Sequence, residues 1–263
     1  MIRALIDSMP LWGVLATTIT IVWLATEVGY RAGVRRARTP GFDNETQITA
    51  MTGANLGLLA FLLAFTFSMA ANHFDARKHT ILEETKAITT AYIRTALLPG
   101  DQGTAIREYL RQYTALRGDI EDVEVAEIIR KSEELQQKIW QEVRILAAEE
   151  KLTVMHSLLI QSINKVFDIH QDRVSMGLRN RIPPSIWVAL YSVLLLAMVG
   201  MGFHSGIKGS RSPVPSAALA LSFSMVLFLI ADLDRPTSGL VQSDQTAMVE
   251  LRERMDMLEK LEE

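Results

Sequence analysis

The chain has 263 residues, of which 49% are hydrophobic and 22% charged, and its formal net charge is −3. It contains no cysteine, which excludes disulfides, thiolate nucleophiles and cysteine-based zinc sites. Residues 72 to 181 hold 16 Lys and Arg against 17 Asp and Glu, a balance that argues against a nucleic-acid-binding surface. Because no phosphate loop, nucleophile elbow or paired-carboxylate motif occurs in a suitable context, the sequence predicts that the protein is not an enzyme.

Long uncharged apolar stretches decide the fold class. They cover residues 8–26, 51–71, 182–207 and 212–231. Each is about as long as the roughly 20 residues that a helix needs to cross the hydrocarbon core of a bilayer. No alternating strand pattern is present, so we predict an all-α, four-span membrane protein. Its spans would be in contact with the lipid bilayer. We therefore expect a multi-pass integral membrane protein.

The polar segments between these stretches predict the domain organisation. A first transmembrane hairpin covers residues 1–71, with spans at about 8–30 and 49–71, and a helical extramembrane domain follows over 72–181. A second hairpin covers 182–231, with spans at about 185–206 and 213–231. The C-terminal extramembrane tail over 232–263 contains a short amphipathic helix.

The second span differs from a simple lipid anchor. Polar, small and aromatic residues interrupt it, a pattern that favours contact with other helices or with water. Since residues 72–98 contain no Gly or Pro, the span should continue beyond the membrane as one helix of about 50 residues, roughly 75 Å long. A break near His73 is the alternative.

One face of this span carries the candidate pore residues Phe61, Phe65, Ser68 and Asn72, which recur at helical spacing. A ring of Phe pairs around a common axis would form a hydrophobic constriction, which can gate by dewetting. The alternative is that the rings pack on neighbouring spans. The residues alone leave both possibilities open: a pore lined by this face in a homo-oligomer, or a helix packed against its neighbours.

His73, Asp75 and Arg77 mark the end of the span. Positions 75 and 79 share a helix face, so Asp75 and His79 could ligate a metal. Two ligands from one turn do not complete a site, however. We therefore interpret the group as a polar cluster at the membrane boundary, with Asp75 paired to His79 or Arg77.

Asp232 and Asp234 follow the fourth span. Their carboxylates could bind a hard cation such as calcium, which would be the one cofactor we consider. The alternative is that they cap a helix end or pair with the neighbouring Arg235.

Basic residues of the short linkers predict the orientation. Linkers 31–50 and 204–213 carry six Lys and Arg, which favours the cytoplasm for both linkers and the other side for residues 72–181. Four basic residues flank spans two and three on the opposite side and argue against this assignment: Arg77, Lys78, Arg179 and Arg181.

Three sequence motifs carry a family resemblance. They are LLAFLLAFTFSMAANHFDARK in the second span, EETKAITTAYIRTALLP at 83–99 and ADLDRPTSG at 231–239. In their order and spacing they resemble the bestrophin-like membrane proteins of bacteria, a family that is remotely similar to the bestrophin anion channels. The resemblance implies a homo-oligomer, a pentamer, with span two around a chloride-conducting pore in a bacterial inner membrane.

The resemblance places two apolar neck positions of that pore on Phe61 and Phe65. A third neck position falls on Gly57, which cannot form a constriction. The acidic run that serves a calcium clasp in bestrophins is reduced here to Asp232 and Asp234, and bestrophins keep their large domain in the cytoplasm, opposite to the charge pattern. A non-conducting scaffold or sensor, whose helical domain binds a partner, is the second functional hypothesis.

Overall fold

The computed structural model describes residues 9–38, 45–98, 101–118, 125–148, 153–178, 180–209, 213–235, 239–241 and 245–262. Within these ranges the chain forms eight helices and no strand, which confirms the all-α prediction. The helices are α1 (Leu11–Ala37), α2 (Glu45–Thr95), α3 (Asp101–Gly118), α4 (Val125–Ala147), α5 (Val154–Leu178), α6 (Pro184–Ile207), α7 (Pro213–Asp234) and α8 (Thr246–Glu262).

Four helices are long and apolar enough to cross a membrane: α1, α2, α6 and α7. Their number confirms the four-span prediction. Proline sets the start of three of them, because Pro10 precedes α1 and Pro184 and Pro213 open α6 and α7. A proline at the start of a helix has its backbone angle fixed near the helical value and lacks an N–H that would have no intrahelical acceptor.

Helix α2 is continuous over 51 residues, about 76 Å. This confirms the single long helix rather than a break near His73. Its uncharged stretch, residues 51–71, is the part that matches a bilayer, and the charged residues begin after Asn72. The same helix therefore supplies both a membrane span and a long polar segment.

The chain divides into two compact units. The first, which we call the membrane unit, comprises Met1–Phe74 and Arg181–Gln242. Its apolar core takes residues from all four membrane-length helices, with Trp187 among the largest buried side chains. Helices α1 and α6 pack so closely that a Cβ on Gly29 would overlap the backbone of Val199, and one on Gly202 would overlap the backbone of Thr26. Glycine at these positions allows the two backbones to approach.

The second, which we call the helical unit, comprises Asp75–Asn180 and Ser243–Glu263. Its core joins the polar half of α2 to α3, α4, α5 and α8 through buried aliphatic and tyrosine side chains. The C-terminal helix α8 belongs to this core, since its apolar residues Met248, Leu251 and Met255 are buried there. Helix α8 is thus an integral element of the helical unit.

Candidate functional site

The membrane half of α2 presents one open face. Phe61 is 67% exposed and Phe65 56% exposed, and Ser68 and Asn72 are exposed one and two turns further on. These four residues lie at steps of four, three and four positions, which keeps them on one side of an α-helix. Within one chain, therefore, the predicted pore residues share a stripe that the described helices leave uncovered.

The opposite face of α2 is packed into the membrane unit. Its buried residues are Leu59, Leu63, Thr66 and Ala70. The hydroxyl of Thr66 donates to the carbonyl oxygen of Leu62 at 2.7 Å, so that polar group is satisfied inside its own helix. Burial of one face thus fixes the rotation of the helix and leaves Phe61, Phe65, Ser68 and Asn72 pointing away from the core.

Two glycines extend the open stripe toward the start of α2. A Cβ added at Gly53 or Gly57 would meet no described atom within 4 Å. Packing against the described residues of the chain therefore does not require a glycine at either position. The two glycines add no side chain to this face of α2, whereas Phe61 and Phe65 add large rings.

The residues of the predicted boundary cluster differ in burial and in interaction partners. His73 is half-buried and Asp75 is exposed, while Arg77 is 7% exposed and has interaction partners. The Nδ1 atom of His79 lies 3.8 Å from a carboxylate oxygen of Glu83, one turn further along α2. Among the residues that the structure describes, no group of three or more His, Cys, Asp and Glu side chains could hold a metal ion.

A family profile matches most of the chain. The Bestrophin-like domain aligns with residues 16–248, a range that contains α2, α6 and α7 and all but the first turn of α1. The chain belongs to the bestrophin-like family. This confirms the resemblance seen in the sequence motifs, and it fits the prediction that the protein is not an enzyme. Together with the four spans, it identifies a multi-pass membrane protein.

Two solved structures share the fold of this chain. A point mutant of a bacterial bestrophin homologue from Klebsiella pneumoniae matches with a TM-score of 0.67 and 15% identity, covering 94% of this chain and 98% of its own. The crystal structure of a membrane protein variant matches with a TM-score of 0.66 and 16% identity, covering 91% and 97%. Comparison with curated proteins gives no match.

The acidic pair Asp232 and Asp234 lies in the last turn of α7 and hydrogen-bonds to neighbouring segments of the chain. The carboxylate of Asp232 accepts hydrogen bonds from the backbone N–H groups of Leu240 at 2.7 Å and Val241 at 3.2 Å. The carboxylate of Asp234 accepts one from the N–H of Ile182 at 2.9 Å and lies 3.4 Å from Nε of Arg181. These contacts anchor the segments that precede α6 and follow α7.

The hydrogen-bond partners of Asp232 and Asp234 do not resemble the ligands of a calcium site. A calcium ion takes six to eight oxygen ligands, whereas the partners of Asp232 and Asp234 are N–H donors. Calcium binding by this pair stays a prediction that none of these contacts supports. The contacts instead agree with the alternative of a structural role at the helix end.

A buried polar network in the helical unit has no counterpart in the sequence predictions. The carboxylate of Glu84 on α2 accepts a hydrogen bond from Tyr113 of α3 at 2.6 Å and pairs with Arg173 of α5. Nε of Arg117 lies 3.3 Å from the same carboxylate, and Nδ1 of His170 lies 3.0 Å from the Tyr113 hydroxyl. Three helices are therefore joined at one carboxylate.

Charge and burial set the protonation of this network. Burial alone would raise the pKa of Glu84, but the guanidinium groups of Arg117 and Arg173 and the Tyr113 hydroxyl outweigh it and lower the pKa to about 2. Burial, followed by the positive charge of Arg117, lowers the pKa of His170 to about 4. At neutral pH Glu84 is therefore ionised and His170 is neutral.

Proposed function

We propose that this bestrophin-like protein is an anion channel in which several copies surround a central axis and α2 of each copy lines the pore. The observation that carries the proposal is the open stripe of Phe61, Phe65, Ser68 and Asn72 on a span whose opposite face is packed. In the proposed pore, the two Phe rings form the hydrophobic neck and the polar pair follows it.

The chemistry of the stripe supports a water-facing role. Exposed polar side chains near hydrocarbon are unfavourable, and their usual location in membrane proteins is a bundle interior or a water-filled cavity. Bulky Phe rings beside Ser68 and Asn72 match a constriction that opens onto a wetted passage. Gly53 and Gly57, which need not be glycines for packing within the chain, would leave the passage wide on the other side of the neck.

The proposal also covers the number of subunits, the ion that passes and the orientation of the chain in the membrane. We infer a pentamer that selects chloride, by analogy with the bestrophin anion channels that the sequence resembles. The Arg residues of linker 31–50 and the basic residues of linker 204–213 support a cytoplasmic location for both linkers in a bacterial inner membrane.

Purified protein in planar bilayers tests the proposal. We expect an anion current, and we expect Phe65→Ala to raise the single-channel conductance because it widens the neck. Phe67→Ala is the matched control, since Phe67 is also exposed but lies on a different flank of α2. Its conductance should equal that of the wild type.

Two results would contradict a pore. One is a well-folded oligomer that passes no ions under any voltage or salt gradient. The other is a monomer or dimer in a native-mass measurement, because one or two copies of α2 cannot enclose a passage. Either result would favour the alternative of a membrane scaffold or sensor, in which the helical unit binds a partner.

A further inference from the structure

The buried network of Glu84, Tyr113, Arg117, His170 and Arg173, which we call the Glu84 cluster, contains more positive than negative charge. Among the described residues, Glu84 is the one carboxylate paired with either arginine of the cluster. The Glu84 side chain has no exposed surface, and those of Arg117 and Arg173 are 5% and 12% exposed. Two guanidinium cations thus share one carboxylate away from bulk water, which is unfavourable unless another anion balances them.

Two buried polar atoms of the cluster have no hydrogen-bond partner among the described residues. An ionised carboxylate only accepts hydrogen bonds, so the hydroxyl hydrogen of Tyr113 is used on Glu84. Nδ1–H of His170 must then donate to the Tyr113 oxygen, and Nε2 of the neutral ring carries a lone pair. In the part of the chain that the structure describes, this Nε2 has no hydrogen-bond partner, although His170 is 2% exposed.

The second such atom belongs to Arg117. Its Nε is buried near Glu84, but its N–H is not aligned with any acceptor among the described residues. Both groups lie beside Tyr113: the Arg117 guanidinium is 6.0 Å from the centre of that ring, and the centres of the Tyr113 and His170 rings are 6.1 Å apart. An excess of positive charge and an unused donor therefore occur in one buried place.

We propose that the Glu84 cluster binds a small monovalent anion such as chloride, held by Arg117 with His170 beside it. A guanidinium N–H is a strong donor to anions, and a single negative charge balances the one excess positive charge of the cluster. A more highly charged anion would leave the cluster with an excess negative charge. This site lies in the helical unit, apart from the Phe61–Asn72 stripe, and does not depend on whether the protein conducts ions.

A proton strengthens the proposed binding. When Nε2 of His170 is protonated it becomes a second donor, and the added positive charge attracts the anion. The titratable and charged groups around this ring are Glu84 from α2, Tyr113 and Arg117 from α3, and Arg173 on its own helix α5. Affinity for the anion should therefore rise as the pH falls.

Thermal unfolding of the full chain in detergent tests the site. The probe is sodium chloride against sodium gluconate at equal ionic strength, since gluconate is too large for a buried cluster. We expect chloride to raise the unfolding temperature by roughly 2–8 °C, because a ligand that binds the folded state stabilises it. Arg173→Gln removes the excess charge and should abolish the chloride effect.

Two controls separate this site from other effects of chloride. Arg130→Gln removes an exposed arginine of the same unit and should keep the wild-type shift. Phe65→Ala, which alters the proposed pore, should also keep it, so a failure of the channel proposal would be distinguishable. Equal unfolding temperatures of the wild type in the two salts, or an undiminished shift in Arg173→Gln, would overturn the site.

Crystallography gives a second readout that does not depend on how stable the variants are. Crystals of the wild-type protein grown in bromide should show an anomalous peak beside Arg117 and His170. A water molecule with no anomalous signal at that position would overturn the proposal.

Discussion

The hydroxyl of Tyr113 donates a 2.6 Å hydrogen bond to the carboxylate of Glu84, which joins helix α3 to the polar half of helix α2. Both side chains are fully buried. Since the membrane half of the same helix carries the candidate pore residues, this bond holds the segment of α2 that continues directly from the span. The pair therefore contributes to the stability of the helical unit by joining α3 to the α2 segment of that unit.

Tyr113→Phe should lower the free energy of unfolding by about 1–3 kcal/mol, because it removes a hydrogen bond to a buried charge without opening a large cavity. The measurement is denaturant or thermal unfolding in detergent. Tyr109→Phe is the matched control: Tyr109 is on the same helix and half-buried, and its loss of a hydroxyl should leave stability within about 0.5 kcal/mol of the wild type. Equal effects of the two substitutions would show that the Glu84 contact contributes nothing.

The same cluster predicts loss of stability in acid. Burial and Arg117 depress the pKa of His170 from its ordinary 6.5 to about 4, so between these values the unfolded chain binds more protons than the folded one. Stability should fall as pH decreases from about 6.5 to about 4. Glu84, with its pKa lowered to about 2, adds a further loss as pH decreases below its ordinary 4.5. Unfolding temperatures measured between pH 8 and pH 4 in gluconate would follow the first step.

His170→Gln separates these two contributions. Glutamine keeps a polar group that can donate to Tyr113 but does not titrate, so the variant should lose much less stability between pH 6.5 and pH 4. A pH profile identical to that of the wild type would assign the acid sensitivity to another group.

The open stripe of α2 could be predicted from the sequence, whereas the Glu84 cluster could not. Helix α2 was predictable because no Gly or Pro interrupts residues 72–98, and Phe61 and Phe65 were predictable as one face because helical periodicity is local. The Glu84 cluster was not predictable, since Glu84 and Tyr113 are 29 positions apart and Glu84 and Arg173 are 89 apart. Only the packing of three helices brings those side chains together.

Close packing of α1 and α6 is a third testable feature. Gly202→Ala should destabilise the membrane unit by about 1–3 kcal/mol, because the added methyl group would overlap the backbone at Thr26 and push the helices apart. Gly53→Ala is the matched control, since its Cβ meets no described atom within 4 Å and alanine favours helix. Unfolding temperature in detergent is the readout, and a loss at Gly53→Ala as large as that at Gly202→Ala would argue against close packing as the cause.

Because the chain contains no cysteine, an introduced thiol can test directly whether the open stripe of α2 faces water. Ser68→Cys would introduce a unique thiol on the stripe. If that stripe lines a water-filled pore, a charged thiol reagent should modify it in membranes and block the current. Phe67→Cys lies about 100° away around α2, so it should face lipid or a neighbouring helix. A thiol there ionises poorly, and its modification should be slower by on the order of tenfold. Comparable rates at the two positions, or modification of Ser68→Cys without any effect on current, would mean that the open face of α2 meets lipid or another subunit instead of an aqueous passage.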